Sequence, residues 1–115
     1  MKHFSISLLF FFLFVQAQPE HHQFSHDGLS REYYLYIPDS LVTGAPLLFV
    51  FHGYSGSANG IMNYSGLNQI ADDNGFAVCY PQGLIDDWDC AFWNVGYDWH
   101  VDETVDDVGF STSLA

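Results

Sequence analysis

The stretch Pro46-Leu47-Leu48-Phe49-Val50-Phe51-His52-Gly53-Tyr54-Ser55-Gly56 decides the fold. Leu47 to Phe51 is an unbroken apolar run, which suits a strand buried on both faces in the parallel sheet of an α/β protein. The run breaks at His52 into a glycine-rich turn. That turn lies at the carboxyl end of the strand, where open α/β sheets place their ligands. Glycine there lets backbone N–H groups come close to a bound group.

The flanking residues complete the unit. Arg31 to Pro38 is rich in aromatic and branched residues and reads as a strand, with Tyr33, Leu35 and Ile37 on one face. Asp39 to Ala45 makes the turn into the Leu47–Phe51 run. Beyond the glycine-rich turn, Met62, Leu67, Ile70 and Ala71 approximate a helical stripe, Asp72, Asp73 and Asn74 face outward, and Gly75 is placed as a stop. Phe76 to Tyr80 is a second apolar run, ended by Pro81. Strand, turn, helix and strand at this spacing predict a βαβ unit with parallel strands and a right-handed crossover.

Residues 82–100 form a long irregular segment carrying Trp88, Phe92, Trp93, Tyr97 and Trp99; so many aromatics argue against disorder. Thr104 is placed to cap a last helix, with Asp107 reaching back and both Asp106 and Asp107 favourable at its positive end. Val105, Val108 and Leu114 supply part of its apolar face. The fold class that emerges is α/β.

The amino terminus has a separate logic. Lys2 and His3 precede the apolar stretch Phe4 to Val15, and Val15-Gln16-Ala17 offers small residues where a signal peptidase reads. Residues 1–17 therefore read as a secretory signal cleaved near Ala17. The apolar stretch is shorter than the ~20 residues of a spanning helix, so no stable membrane anchor is expected. Residues 18–30 read as a leader without apolar periodicity, and residues 31–115 as the domain.

From residue 18 onward one cation, Arg31, stands against fourteen acids. That balance excludes nucleic acid and anionic membrane partners, which would be repelled. Cys79 and Cys90 are too few for a disulfide scaffold, and the sequence leaves their pairing open. His22 and His26 are spaced to share a metal only on a helix, which nothing there predicts. Asp86, Asp87 and Asp89 lack the spacing of a calcium loop, and Asp98-x-His100-x-Asp102 has no further ligands. No metal is expected.

A strand ending in His-Gly before a helix is one half of a hydrolase site. In α/β-hydrolases the loop after this strand gives one N–H of the oxyanion hole, and the residue after the serine of a G-x-S-x-G elbow gives the other. Such donors act because they already face the oxygen that becomes negative. Here the loop is His52, Gly53 and Tyr54. The N–H of Tyr54 is the candidate donor, and His52 is expected to hold the loop by a side-chain hydrogen bond. Trp93 and Asn94 are candidates for the cleft wall, where aromatic surface suits flat acyl groups or sugar rings. Ser55 beside His52 only loosely imitates an elbow, and a turn hydroxyl is the better reading.

Five motifs occur in order: Arg31-x-Tyr33-x-x-Tyr36-x-Pro38, Phe51-His52-Gly53-Tyr54, Tyr80-Pro81-Gln82-Gly83, Trp93-Asn94-Val95-Gly96 and Val105-Asp106-Asp107-Val108-Gly109-Phe110. Together they resemble the amino-terminal part of the secreted polyhydroxybutyrate-depolymerase-like and feruloyl-esterase-like carboxylesterases. The resemblance implies a doubly wound α/β-hydrolase cleaving esters through an acyl-enzyme, with a Ser-His-Asp triad and no cofactor. It also implies that the chain stops before the nucleophile strand: the triad is expected beyond Ala115, and residues 18–115 are expected to be inactive alone. Polyesters and feruloylated or acetylated polysaccharides all remain open as substrates, as does the oligomeric state. The alternative is a secreted, non-catalytic carbohydrate-binding module built on the aromatic loop 88–99. Such modules are usually all-β, which the strand–helix–strand pattern opposes.

Overall fold

The computed structural model describes residues 16–115. Residues 1–15, with the apolar stretch of the expected signal, lie outside that range. Among the described residues no helix is long and apolar enough to cross a membrane.

Four strands make one mixed sheet in the order β1-β2-β4-β3. They are β1 (Glu20–His26), β2 (Leu29–Tyr36), β3 (Leu47–Phe49) and β4 (Ala77–Gln82). Between β3 and β4 the chain forms α1 (Ala58–Ser65) and α2 (Leu67–Asn74); a small hairpin, β5 (Leu84–Ile85) with β6 (Ala91–Phe92), a 3-10 turn at Asp98–His100 and α3 (Asp107–Leu114) follow. β3 and β4 run parallel, with Leu48 opposite Val78, so the βαβ reading of this region is correct. β1 and β2 add antiparallel strands beyond β4. The protein is mixed α/β.

Alternation along β2 assigns its two faces. Tyr34 and Tyr36 point to the layer of α1 and α2, where Tyr36, Ala58, Met62, Ala71, Val78 and Tyr80 form the buried core. Polar tips tie the helices down: Tyr36 Oη donates to Asp72 at 2.8 Å, and Tyr80 Oη donates to Asn68 at 2.7 Å. Burial, and then the Asp72 carboxylate, push the Tyr36 phenol up to about 12. The other face of β2 carries Arg31 and Tyr33. Phe110 of α3 packs there, its ring 3.9 Å from the Arg31 guanidinium carbon. Helical layers thus lie on both faces of the sheet.

Several expectations are corrected. Residues 18–30 are not an irregular leader: β1 pairs with β2 along its whole length, from Glu20 opposite Leu35 to His26 opposite Leu29. His21 stacks on Tyr34 and His22 on Tyr33, with centroids 4.7 and 5.0 Å apart, so flat polar rings replace the missing apolar periodicity. The hairpin turns on Asp27-Gly28, both at positive φ (52° and 74°), as a two-residue connection requires. The single helix expected over Met62–Asn74 is two helices broken at Gly66, which leaves Ile70 of the stripe exposed. Pro81 does not end its strand; it sits inside β4 opposite Tyr33. Asp106, not Thr104, caps α3 by accepting from the Gly109 N–H, and Phe110, not Val108, is the buried anchor. Cys79 and Cys90 are both free thiols, and burial pushes the Cys79 thiol up to about 12.

β3 departs most from the sequence reading. It is three residues long and stands at the sheet edge, with Leu47 and Leu48 each nearly two-fifths exposed and Phe51 more so. Its far side has no strand partner among the described residues. An apolar edge of this kind is a pairing template. Purified polypeptide 18–115 is therefore expected to bind a hydrophobic dye and to self-associate, and Leu47→Lys with Leu48→Lys should lower both. A dye-silent monomer with a sharp cooperative melt would overturn this expectation.

Candidate active site

The glycine-rich turn and the aromatic segment meet at the carboxyl end of β3 around a cleft of about 500 Å³. Phe51, His52, Gly53 and Tyr54 form one wall, Trp93, Asn94 and Tyr97 another, and Asp107, Ser111 and Thr112 of α3 a third. All five residues singled out from sequence line this one cleft.

His52 is buried and organises the loop through both ring nitrogens. Its Nε2 accepts from the Gly83 N–H at 2.9 Å, with the Gln82 side-chain amide at 3.2 Å, so the ring proton sits on Nδ1. Nδ1 donates to the Gly53 carbonyl at 2.7 Å, and the Gly56 N–H donates to the same oxygen at 2.9 Å. That carbonyl belongs to the peptide unit whose other end is the Tyr54 N–H. Because the unit is planar and trans, two bonds to the oxygen also fix the direction of the N–H. Among the described residues no acceptor bonds the Tyr54 or Gly53 N–H.

Neighbouring residues explain the motifs. A Cβ on Gly83 would collide with the Phe92 carbonyl oxygen and crowd the His52 ring, so only glycine brings this backbone up to the imidazole. Gln82 links the end of β4 to α1 by accepting from the Ala58 N–H at 2.8 Å. Trp93 Nε1 donates to the His52 carbonyl at 2.9 Å, and its ring meets Phe51 edge-on at 5.1 Å. The Asn94 amide is committed to the Glu103 and Val105 carbonyls, at 3.2 and 3.0 Å, so Asn94 shapes the wall by bracing the chain behind it.

Asp107 forms the back of the cleft. One carboxylate oxygen accepts from Arg31 at 2.6 Å, and the other accepts from the Asn94 backbone N–H at 2.7 Å. Arg31 and Asp107 are both buried. From sequence, Asp107 reads as a helix-end acid in preference to a brace for the site; its ties to β2 and to residue 94 are not visible there.

A second buried group, Asp86, was also missed. Its Oδ2 accepts from Tyr54 Oη at 2.7 Å and pairs with His100 Nε2 at 3.0 Å. Its Oδ1 accepts from the Trp88 and Cys90 N–H groups, both at 3.0 Å. Burial alone would push this carboxyl up, but the bonds from His100, Tyr54, Cys90 and Trp88 outweigh it and hold it at about 2. The Tyr54 phenol is raised in turn, first by its bond to Asp86 and then by burial. The usable signal was the acidic run Asp86-Asp87-x-Asp89 around Trp88, directly after β5.

Ser55 has no base: both His52 nitrogens are committed elsewhere, and its own N–H donates to the Ala91 carbonyl at 2.7 Å. His22 and His26 lie on a strand and pair separately with Glu20 and Asp106. Among the described residues no group of three or more metal-ligating side chains converges.

No family model matches the chain. It is 36% identical over 59 residues to feruloyl esterase B of Thermothelomyces thermophilus, covering 51% of this chain and 20% of that protein. It is 34% identical over 77 residues to polyhydroxybutyrate depolymerase of Talaromyces funiculosus, covering 61% of this chain and 23% of that one. The crystal structure of S-formylglutathione hydrolase (FrmB) from Staphylococcus aureus superposes with a TM-score of 0.51 at 20% identity, over 70% of this chain and 34% of that chain. The chain thus has distant, partial homology to ester hydrolases and, over part of its length, an α/β-hydrolase fold. It spans about a fifth of the length of the curated relatives it matches.

Two outcomes are expected. Arg31→Met strands the Asp107 charge and should destabilise by about 3–5 kcal/mol, whereas Arg31→Met with Asp107→Leu should cost less than either single change. Simple additivity in a denaturant double-mutant cycle would show that the two residues are uncoupled. The Asp86 carboxyl ordinarily titrates at 3.8 and is held at about 2. A group lowered on folding stabilises above its unfolded value and loses that contribution as pH falls through the folded one. Melting temperature should therefore drop between about pH 4 and pH 2 in the native chain, and less steeply in Asp86→Asn.

Proposed function

We propose that this chain is the front portion of an exported serine carboxylesterase, with a doubly wound sheet, and that the polypeptide continues into a strand bearing a Gly-x-Ser-x-Gly elbow. The observation that carries the reading is the oriented, unbonded Tyr54 N–H at the mouth of an aromatic cleft, beside the free edge of β3. A strand following α3 and added to that edge by a right-handed crossover would bring its carboxyl end to the same cleft. The homology to a feruloyl esterase and a polyhydroxybutyrate depolymerase supports the chemistry, and export through residues 1–17 suits extracellular polymer esters.

In this reading a serine Oγ attacks the ester carbonyl while a histidine takes its proton. The carbonyl oxygen becomes negative and accepts from the Tyr54 N–H and from the N–H following the serine. The alkoxide leaves with the histidine's proton, and water then releases the acid from the acyl-enzyme. Phe51, Trp93 and Tyr97 favour esters that present a flat ring, as a feruloylated polysaccharide does, over purely aliphatic polyesters. On this proposal the nucleophile is carried by a strand beyond residue 115, and residues 18–115 alone are expected to show no turnover.

One observation favours a second reading, a carbohydrate-binding module. Tyr97 and Trp99 stack at 4.6 Å and 6°, and both are well exposed, as is Trp88. Three helices oppose it.

A fluorophosphonate probe separates the two. The full-length gene product should be labelled on one serine beyond residue 115, and polypeptide 18–115 should not react. Labelling at Ser55, or a full-length chain that binds insoluble xylan but takes no label, would overturn the esterase reading. Among esters of the active chain, kcat/KM for a hydroxycinnamoyl ester should exceed that for a butanoate ester of the same alcohol.

A further inference from the structure

We infer that Asp86, backed by His100, is the positioning residue of the oxyanion loop, acting through the Tyr54 side chain on the peptide that offers the donor. The inference rests on the esterase reading for its kinetic consequence, but the clamp itself is a property of this chain.

The Asp86 carboxylate accepts four hydrogen bonds, two on each oxygen. That is its full capacity, so it cannot swing. The bonds from Trp88 and Cys90 close the β5–β6 turn around it. His100 stands behind, its side chain fully buried and its ring 4.5 Å from Phe92. Its Nδ1 has no partner among the described residues. The ring therefore gives its one useful hydrogen to Asp86. An orphaned ring nitrogen is costly to bury, and the arrangement leaves Asp86 as the group His100 serves.

Tyr54 itself is partly exposed at the cleft, and its hydroxyl is the reach by which Asp86 holds it. The next residue is tied to the same hairpin, because the Ser55 N–H donates to Ala91, and Ala91 pairs with Ile85. Asp86 follows Ile85 directly. The hairpin therefore grips the loop at a side chain and at a main-chain group one residue apart, while His52 and Gly56 grip the Gly53 oxygen from the other side. Ser55 has φ +62°, a strained value for a side-chain-bearing residue that this double attachment maintains.

Hydrogen exchange on the native chain tests the clamp. Asp86→Asn and the milder Tyr54→Phe, which removes one hydroxyl at a partly exposed site, should each speed exchange of the Ser55 amide by about tenfold. Amides of the β2–β4 ladder should keep their rates. An unchanged Ser55 amide in Tyr54→Phe, or equal acceleration across the ladder, overturns the inference. In the full-length enzyme, Tyr54→Phe should lower kcat by about tenfold or more with KM little changed, as expected for a misaimed donor. Faster Ser55 exchange with kcat intact would refute the positioning role. A native full-length chain that cleaves no ester removes the esterase reading instead, and the exchange rates then decide the clamp alone.

Discussion

Arg31 is the only Lys or Arg among residues 16–115, in a chain with fourteen acids, and the fold spends it inside. Desolvating a guanidinium costs several kcal/mol, and a pair of buried charges is often no better for stability than apolar packing. Stability is therefore a poor reason for its position. What Arg31 achieves is registration. It reaches from β2 to the first turn of α3, Phe110 covers its outer face, and Asp107 passes the connection on to the backbone at Asn94. Sheet, helix and aromatic segment are three independent pieces of chain, and this pair sets their separation. The cleft is the space they leave.

Within that frame the site is built from main chain, and side chains serve as its props. A histidine at the mouth of a cleft invites the role of base, which His52 does not fill. Its nitrogens are instead occupied by Gly83 and Gly53, and the outcome is a peptide plane held at a set angle. The choice of residues follows from this task. Gly83 is needed because a side chain would keep the strand end away from the imidazole. Gln82 is needed because α1 must start beside the same ring.

This division explains what the sequence could and could not disclose. The apolar run of β3, the parallel pairing with β4 and the meeting of His52–Tyr54 with Trp93 follow from patterns that act over a few residues, namely unbroken hydrophobicity and glycine at a strand end. β1 escaped because its side chains stack as rings instead of alternating by polarity, although Asp27-Gly28 signalled a hairpin. The break at Gly66 was hidden because Leu67, Ile70 and Ala71 make a helical face by themselves; a helix running unbroken through Gly66 would set Met62 about 180° away from Ala71, and the break lets both reach the core. Arg31–Asp107 and Asp86–His100–Tyr54 join residues 76, 14 and 32 positions apart, and no local periodicity encodes such links. The exposure of β3 shows the limit differently. Its composition describes a strand with neighbours on both sides, whereas among the described residues it has one.

That mismatch bears on how the loop can work. In the proposed esterase, a donor left loose after folding would have to be reoriented for every ester, at a cost set against the transition state. Here the Gly53–Tyr54 peptide and the neighbouring Ser55 are held by bonds from His52, Gly56, Asp86 and Ala91. None of them needs anything at the free edge. The direction of the N–H is therefore settled by this part of the chain, and in the proposed esterase a strand added at β3 would only have to present its own group at the cleft. Preorganised donors gain their advantage from this independence: their orientation is met by folding and not during reaction.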